Sequence, residues 1–226
     1  MNVAENLQSI QENIRQACAV SNRSSNDISI IAVTKYVTIE RTEEALVAGV
    51  TNIGENRLEG FQQKYDQIRD QATWHFIGTL QSRKVKDIID KVDVIHSLDR
   101  KSLAKEIQKR STGTVDCFIQ VNISGEETKH GLAPEQVVPF MEMIQSFDRI
   151  RVVGLMTMAP HVEDEEIIRN TFRELRALRD HIKEKHIENA PCPYLSMGRS
   201  NDYRIAIEEG ATHVRIGSKL VGSQHE

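Results

Sequence analysis

Lys35 stands directly after an apolar run in "IIAVTKYVTI" (30–39). A primary amine at the end of a buried strand has two readings: a charge that snorkels to solvent, or an amine held to attack an aldehyde. The second is helped by a nearby cation or by partial desolvation, each of which lowers an amine pKa from about 10.4. Near the other end of the chain, "SMGRSND" (196–202) and "RIGSK" (215–219) place glycines and hydroxyls at two successive loop starts. Ser196, Gly198, Ser200, Gly217 and Ser218 suit a phosphate, which backbone N–H groups, hydroxyls and the positive end of a helix can hold. Asp202 is expected in the first turn of that helix, with free amides facing a pocket. Two ordinary turns with caps would use the same residues, and spacing leaves both readings open.

These residues need a frame that brings them together. Eight short runs read as strands: 28–33, 51–54, 74–78, 92–97, 115–122, 151–157, 194–197 and 213–217. Between them, helical patterns at 38–48, 80–90, 100–110, 134–147, 163–188 and 200–209 supply the crossovers that parallel strands require. Eight β/α alternations predict an α/β fold, a single (β/α)8 TIM barrel, whose strand C-termini share one face. Lys35, Asn56 and Arg215 then meet there with the phosphate-type loops, and Arg215 lies beside the first strand as the second cation. An open doubly wound sheet is the competitor, but neither G-x-G-x-x-G after the first strand nor G-x-x-x-x-G-K-[ST] occurs. Val3, Leu7, Ile10, Ile14 and Cys18 form the stripe of an added amphipathic helix. With no linker or repeat dividing the chain, residues 1–226 are expected to be one domain, with 1–21 packing on the barrel.

Other features narrow the function. A net charge of −4 with both signs interspersed gives no global attraction to nucleic acid or anionic membrane. No apolar run approaches the roughly 18–20 residues of a membrane span, and the polar N-terminus does not resemble a signal peptide, so a cytoplasmic protein is expected. Cys18, Cys117 and Cys192 are odd in number and far apart, which fits a reducing compartment. The histidines lack ligand spacing, so no metal is expected. "EDEE" (163–166) reads as an acidic helix start, Met156 and Met158 as pocket lining, and Arg83 and Lys84 as a solvated helix start near the rim.

As a set, "AVTKYV", "IGENR", "WHFIGTLQSRK", "SLDR", "VNISGEETKHG", "GLMTMAP" and "LSMGRSNDYRIAIEEGATHVRIGSKLVG" resemble the pyridoxal 5'-phosphate homeostasis proteins. The segments run in order over nearly the whole chain. The resemblance implies a fold type III barrel like the N-terminal domain of alanine racemase, with pyridoxal 5'-phosphate (PLP) carried as a Schiff base on Lys35. It also implies Arg215 opposite the pyridine nitrogen, Asn56 near the ring, and Ser196, Gly198, Ser200, Gly217 and Ser218 around the phosphate. Arg199 and Arg83 depart from the family pattern, which has methionine in "SMGMS" and asparagine in "LQ-x-NK".

Three functions follow. The first is a monomeric protein that sequesters PLP and delivers it to PLP-dependent apoenzymes, without obligatory catalysis. The second is an amino-acid racemase, which needs a proton donor on each face of the cofactor. In alanine racemase a separate C-terminal domain supplies one; here the chain ends after its eighth βα unit, leaving only barrel groups such as Tyr36 or His75. The third is a lysine-dependent aldolase acting on a sugar phosphate without any cofactor.

Overall fold

Each apolar run pairs with its neighbours in sequence, and the last returns to the first. The computed structural model describes residues 2–127 and 130–223. Its strands are β1 (Ser29–Val33), β2 (Asn52–Glu55), β3 (Thr73–Phe76), β4 (Val94–Leu98), β5 (Val115–Gln120), β6 (Ile150–Met156), β7 (Tyr194–Ser196) and β8 (His213–Ile216). All pairings are parallel and the order β1 to β8 closes into a barrel, with Ile31 opposite Asn52 on one side and Arg215 on the other. This is the predicted TIM barrel. Closure places the end of β8 beside the end of β1, so residues 180 apart in sequence reach one mouth.

The helices are α1 (Val3–Val20), α2 (Ile39–Ala48), α3 (Leu58–Ile68), α4 (Val85–Ile88), α5 (Lys101–Arg110), α6 (Pro134–Ile144), α7 (Glu165–Glu184), α8 (Tyr203–Glu208) and α9 (Ser218–Val221). In α1 the predicted stripe is the buried face, and it lies against α8, α2 and α9. Each fully buried aliphatic side chain there contributes about 1.5–3 kcal/mol relative to exposure. Two polar contacts fix the register of α1: Asn13 Nδ2 donates to Tyr203 Oη at 2.9 Å and Asn6 Nδ2 to the Leu220 carbonyl at 3.0 Å. The acidic start of α7 is as expected, with Asp164 as N-cap accepting from the Glu166 amide at 2.9 Å. None of the helices among the described residues is long and apolar enough to cross a membrane.

Three stretches differ from the expectation. Helix α3 was not anticipated, because Gly60 and a polar surface mask its apolar positions Phe61 and Ile68. The 80–90 segment is a short 3-10 turn, Ser82–Lys84, followed by four-residue α4. The predicted 200–209 helix begins only at Tyr203.

The main apolar core lies between the strands and the helices. Inside the barrel a smaller cluster of Phe118, Val153 and Met156 is joined by an unusual number of polar groups: His75, His96, Gln120, Ser196 and Arg215 are all buried. Barrel interiors are ordinarily filled by branched aliphatics. Buried polar groups at this density need partners, and those partners define the floor of the site.

Candidate functional site

A cavity of about 740 Å³ opens at the C-terminal ends of the strands, within the roughly 300–1,000 Å³ typical of small-molecule pockets. Lys35, Asn56, Ser200, Arg215, Gly217 and Ser218 all line it, together with Tyr36, Gly78, Gln120 and Arg199. Ser196 and Gly198 do not line the cavity; both are buried. Arg83 and Lys84 are not among the lining residues either.

Lys35 follows β1 and is exposed at the mouth, its Nζ 4.8 Å from the centre of the Tyr36 ring. The partial desolvation considered as one of two aids to the amine is therefore absent. What fixes this lysine is the backbone below it. Thr34 Oγ1 donates to Glu55 Oε1 at 2.8 Å, the Thr34 carbonyl accepts from Lys64 Nζ, and Lys64 Nζ pairs with Glu55 Oε1 at 2.5 Å. All three residues are buried. Charges withdrawn from water to this degree must be paired, so the network rigidly seats the residue preceding Lys35. Lys64 and α3 were missed in the sequence. The available signal was a lysine nine positions after Glu55 on the helix that follows β2.

Arg215 enters the cavity floor from β8. It is only 4% exposed, yet no carboxylate among the described residues lies within ion-pair distance of it. One terminal nitrogen donates to Ser196 Oγ at 2.5 Å and the other to the Thr157 carbonyl at 3.1 Å. Burial pushes its pKa down to about 10, with Arg199 acting in the same direction and Asp202 opposing. It remains a cation at neutral pH. A buried guanidinium with neutral acceptors on one side and a cavity on the other is complementary to an electron-rich atom of a ligand.

The loop after β7 departs from the expected free helix end. Asp202 caps a tight turn, its Oδ1 accepting from the Arg199 amide at 2.6 Å, while the amides of Asp202 and Tyr203 both donate to the Arg199 carbonyl. Those two N–H groups are thus already used, and the Arg199–Asn201 turn, with the Ser200 hydroxyl, is what meets the cavity. The Arg199 guanidinium is tethered to the Ala159 carbonyl at 3.1 Å. Gly198 serves packing: its φ is +101°, a Cβ there would come within 2.7 Å of Ala206 Cβ, and its carbonyl accepts the Arg215 amide at 2.9 Å. Gly217 differs, since a Cβ on it would make only ordinary contact with Val33 at 3.4 Å. No side chain crowds that position, so its backbone lies open to an approaching ligand.

The two barrel groups considered as proton donors separate. His75 is buried below the cavity, its ring nitrogens bonded to His96 and Asn52. Tyr36 lines the cavity beside Lys35 itself, on the same side as the amine.

A closed parallel barrel with an amine after its first strand and a buried cation on its last defines an alanine-racemase-type barrel. The chain belongs to the pyridoxal phosphate homeostasis proteins within the alanine racemase N-terminal domain family, which it matches over residues 6–225. It is similar to the pyridoxal phosphate homeostasis protein of Aquifex aeolicus (strain VF5), at 43% identity over 228 residues and 99% of both chains. The corresponding protein of Haemophilus influenzae is 32% identical over 231 residues, covering 100% of this chain and 97% of that one. Among solved structures, PipY of Synechococcus elongatus PCC7942 with PLP bound superposes with a TM-score of 0.85 at 26% identity, covering 97% of this chain and all of PipY. Alanine racemase from Corynebacterium glutamicum shares the fold alone, at 15% identity and a TM-score of 0.70 over 95% of this chain and 60% of that one.

Proposed function

We propose that this protein binds pyridoxal 5'-phosphate in the cavity at the barrel mouth and acts in its homeostasis, holding it on Lys35 and passing it to PLP-dependent apoenzymes without obligatory turnover. The observation that carries this reading is the meeting, in one cavity, of the Lys35 amine, the carboxylate-free cation Arg215 and the open backbone at Gly217. The residues fit the group. When bound, PLP supplies an aldehyde able to condense with an amine. Lys35 offers that amine at the accessible mouth. The Ser200 and Ser218 hydroxyls and the backbone at Gly217 offer the phosphate its donors, with Arg199 adding positive charge nearby. Arg215, charged at working pH, disfavours protonation of a ring nitrogen opposite it, which weakens the cofactor as an electron sink. Of the two barrel groups considered as a second proton donor, His75 lies beneath the floor and Tyr36 on the lysine's own side, so neither is placed for the role that racemisation needs. We place the protein in the cytoplasm, supported by three free, buried cysteines.

The test is absorbance spectroscopy of purified protein mixed with PLP, followed by borohydride reduction and peptide mapping. The expected result is a visible chromophore abolished by reduction, with the pyridoxyl label on Lys35. A colourless protein without label after excess PLP excludes the proposal.

A further inference from the structure

Beneath the cavity a line of hydrogen bonds crosses the barrel interior. Arg215 donates to Ser196 Oγ at 2.5 Å, Ser196 Oγ lies 2.9 Å from His96 Nδ1, His96 Nε2 lies 2.8 Å from His75 Nδ1, and His75 Nε2 lies 2.9 Å from Asn52 Oδ1. The line joins β8, β7, β4, β3 and β2. His75, His96, Ser196 and Arg215 are all at least nine-tenths buried. No water-facing group intervenes between the cation and Asn52.

The cation gives this line a direction. A guanidinium only donates, so Ser196 Oγ is an acceptor toward Arg215. The Ser196 hydrogen then needs an acceptor, and among the described residues His96 Nδ1 is the only other bonded neighbour of that oxygen. His96 Nδ1 must therefore be bare and Nε2 protonated. By the same rule His75 Nδ1 accepts and Nε2–H donates to Asn52 Oδ1. The reverse order would leave the Ser196 hydrogen buried without a partner, and an imidazolium at either position would be desolvated; burial indeed holds both histidines far below the ordinary range. His96 is further clamped by stacking on Phe118, ring centres 4.4 Å apart.

We propose that His96 and His75 are positioning residues for Arg215: both are neutral Nε2–H tautomers in a one-way hydrogen-bond chain that keeps the Ser196 hydroxyl an acceptor and aims the guanidinium into the cavity. The chain itself stands on the protein alone; only its effect on cofactor rests on the function proposed above.

The deciding measurement is long-range ¹H–¹⁵N NMR of the histidine rings in ligand-free, full-length protein, with His75→Gln and His96→Phe giving the assignments. Both rings are expected as neutral Nε2–H tautomers at pH 7. An Nδ1–H tautomer or an imidazolium at either residue overturns the proposal. A second measurement titrates PLP into His96→Phe, which keeps the stack on Phe118 but lacks an acceptor for Ser196, and into His96→Asn, whose Oδ1 can replace Nδ1. Removal of such a supporting partner is expected to weaken binding roughly tenfold and shift the cofactor absorbance, with His96→Asn recovering most of both. A folded His96→Phe with unchanged affinity and spectrum contradicts the positioning role. If His96→Phe fails to fold, the wild-type tautomers still decide. Correct tautomers together with no label on Lys35 would retain the chain and reject PLP binding.

Discussion

Lys64 and Glu55 form a buried ion pair, 2.5 Å from Nζ to Oε1, that holds Thr34 and thereby the turn carrying Lys35. Removing one member leaves the other as an uncompensated charge in the interior, which costs about 3–5 kcal/mol. Lys64→Met is therefore expected to lower the free energy of unfolding by about that amount. Adding Glu55→Gln removes the stranded charge while keeping an acceptor for Thr34 Oγ1, so the double variant should regain a substantial part of the loss. Urea unfolding of the two variants against wild type checks this. A loss of less than about 1 kcal/mol in Lys64→Met would show that the pair adds little.

Lys35 is exposed and makes no hydrogen bond or ion pair among the described residues. Lys35→Ala should therefore leave stability within about 0.5 kcal/mol of wild type, while abolishing the borohydride-stable pyridoxyl label. Non-covalent binding directed by Arg215 and the phosphate donors should persist at reduced affinity. Equilibrium titration with PLP, with mass spectrometry after reduction, separates the two effects. Full labelling of the variant would assign the covalent bond to another lysine.

Acid should destabilise the barrel through its buried histidines. Burial pushes His75 down to about 3 and His213 to about 4, the nearby Arg215 cation adding to the effect at His213 and His213 adding to it at His75. In the unfolded chain each returns to about 6.5. Below that value the unfolded state binds protons that the native state refuses, so stability falls as pH falls, by up to roughly 1.4 kcal/mol per pH unit for each histidine. The urea midpoint should be flat from pH 8 to 7 and drop between pH 6.5 and 5. A midpoint unchanged down to pH 5 would mean that these rings are protonated in the native state.

Much of this architecture is legible in the sequence because strand alternation and helix stripes are local signals. The eight strands were found within a few residues, and Lys35, Asn56, Ser200, Arg215, Gly217 and Ser218 share one cavity because closure brings all strand ends to one face. What escaped depends on distant partners. His96 and Ser196 are 100 residues apart and touch only across the closed barrel, so no spacing rule reveals them. Ser196 is buried and does not line the cavity because it ends β7 one step before the loop, and a run of small residues gives no hint of that burial. Lys64 was invisible because a lysine on a helix ordinarily faces water; only burial of Glu55 draws it inward.

The two glycines near the phosphate-type loops should respond in opposite ways to the same added methyl group. Gly198 has φ of +101°, and an alanine Cβ there meets Ala206 Cβ at 2.7 Å and the Tyr203 backbone at 3.0 Å. Gly198→Ala therefore combines a disfavoured backbone conformation with a clash against α8. It should destabilise by about 2–4 kcal/mol, beyond the cost of strain alone. Gly217 has φ of −109° and ψ of −87°, and an added Cβ would meet nothing closer than 3.4 Å. Gly217→Ala should cost much less stability than Gly198→Ala, yet the methyl group would stand over the backbone where we propose that the phosphate approaches and weaken PLP binding. Thermal unfolding and PLP titration on both variants test the pair together. A Gly217→Ala protein that binds PLP like wild type would remove that backbone from the phosphate site, and a stable Gly198→Ala would show that α8 can shift to make room.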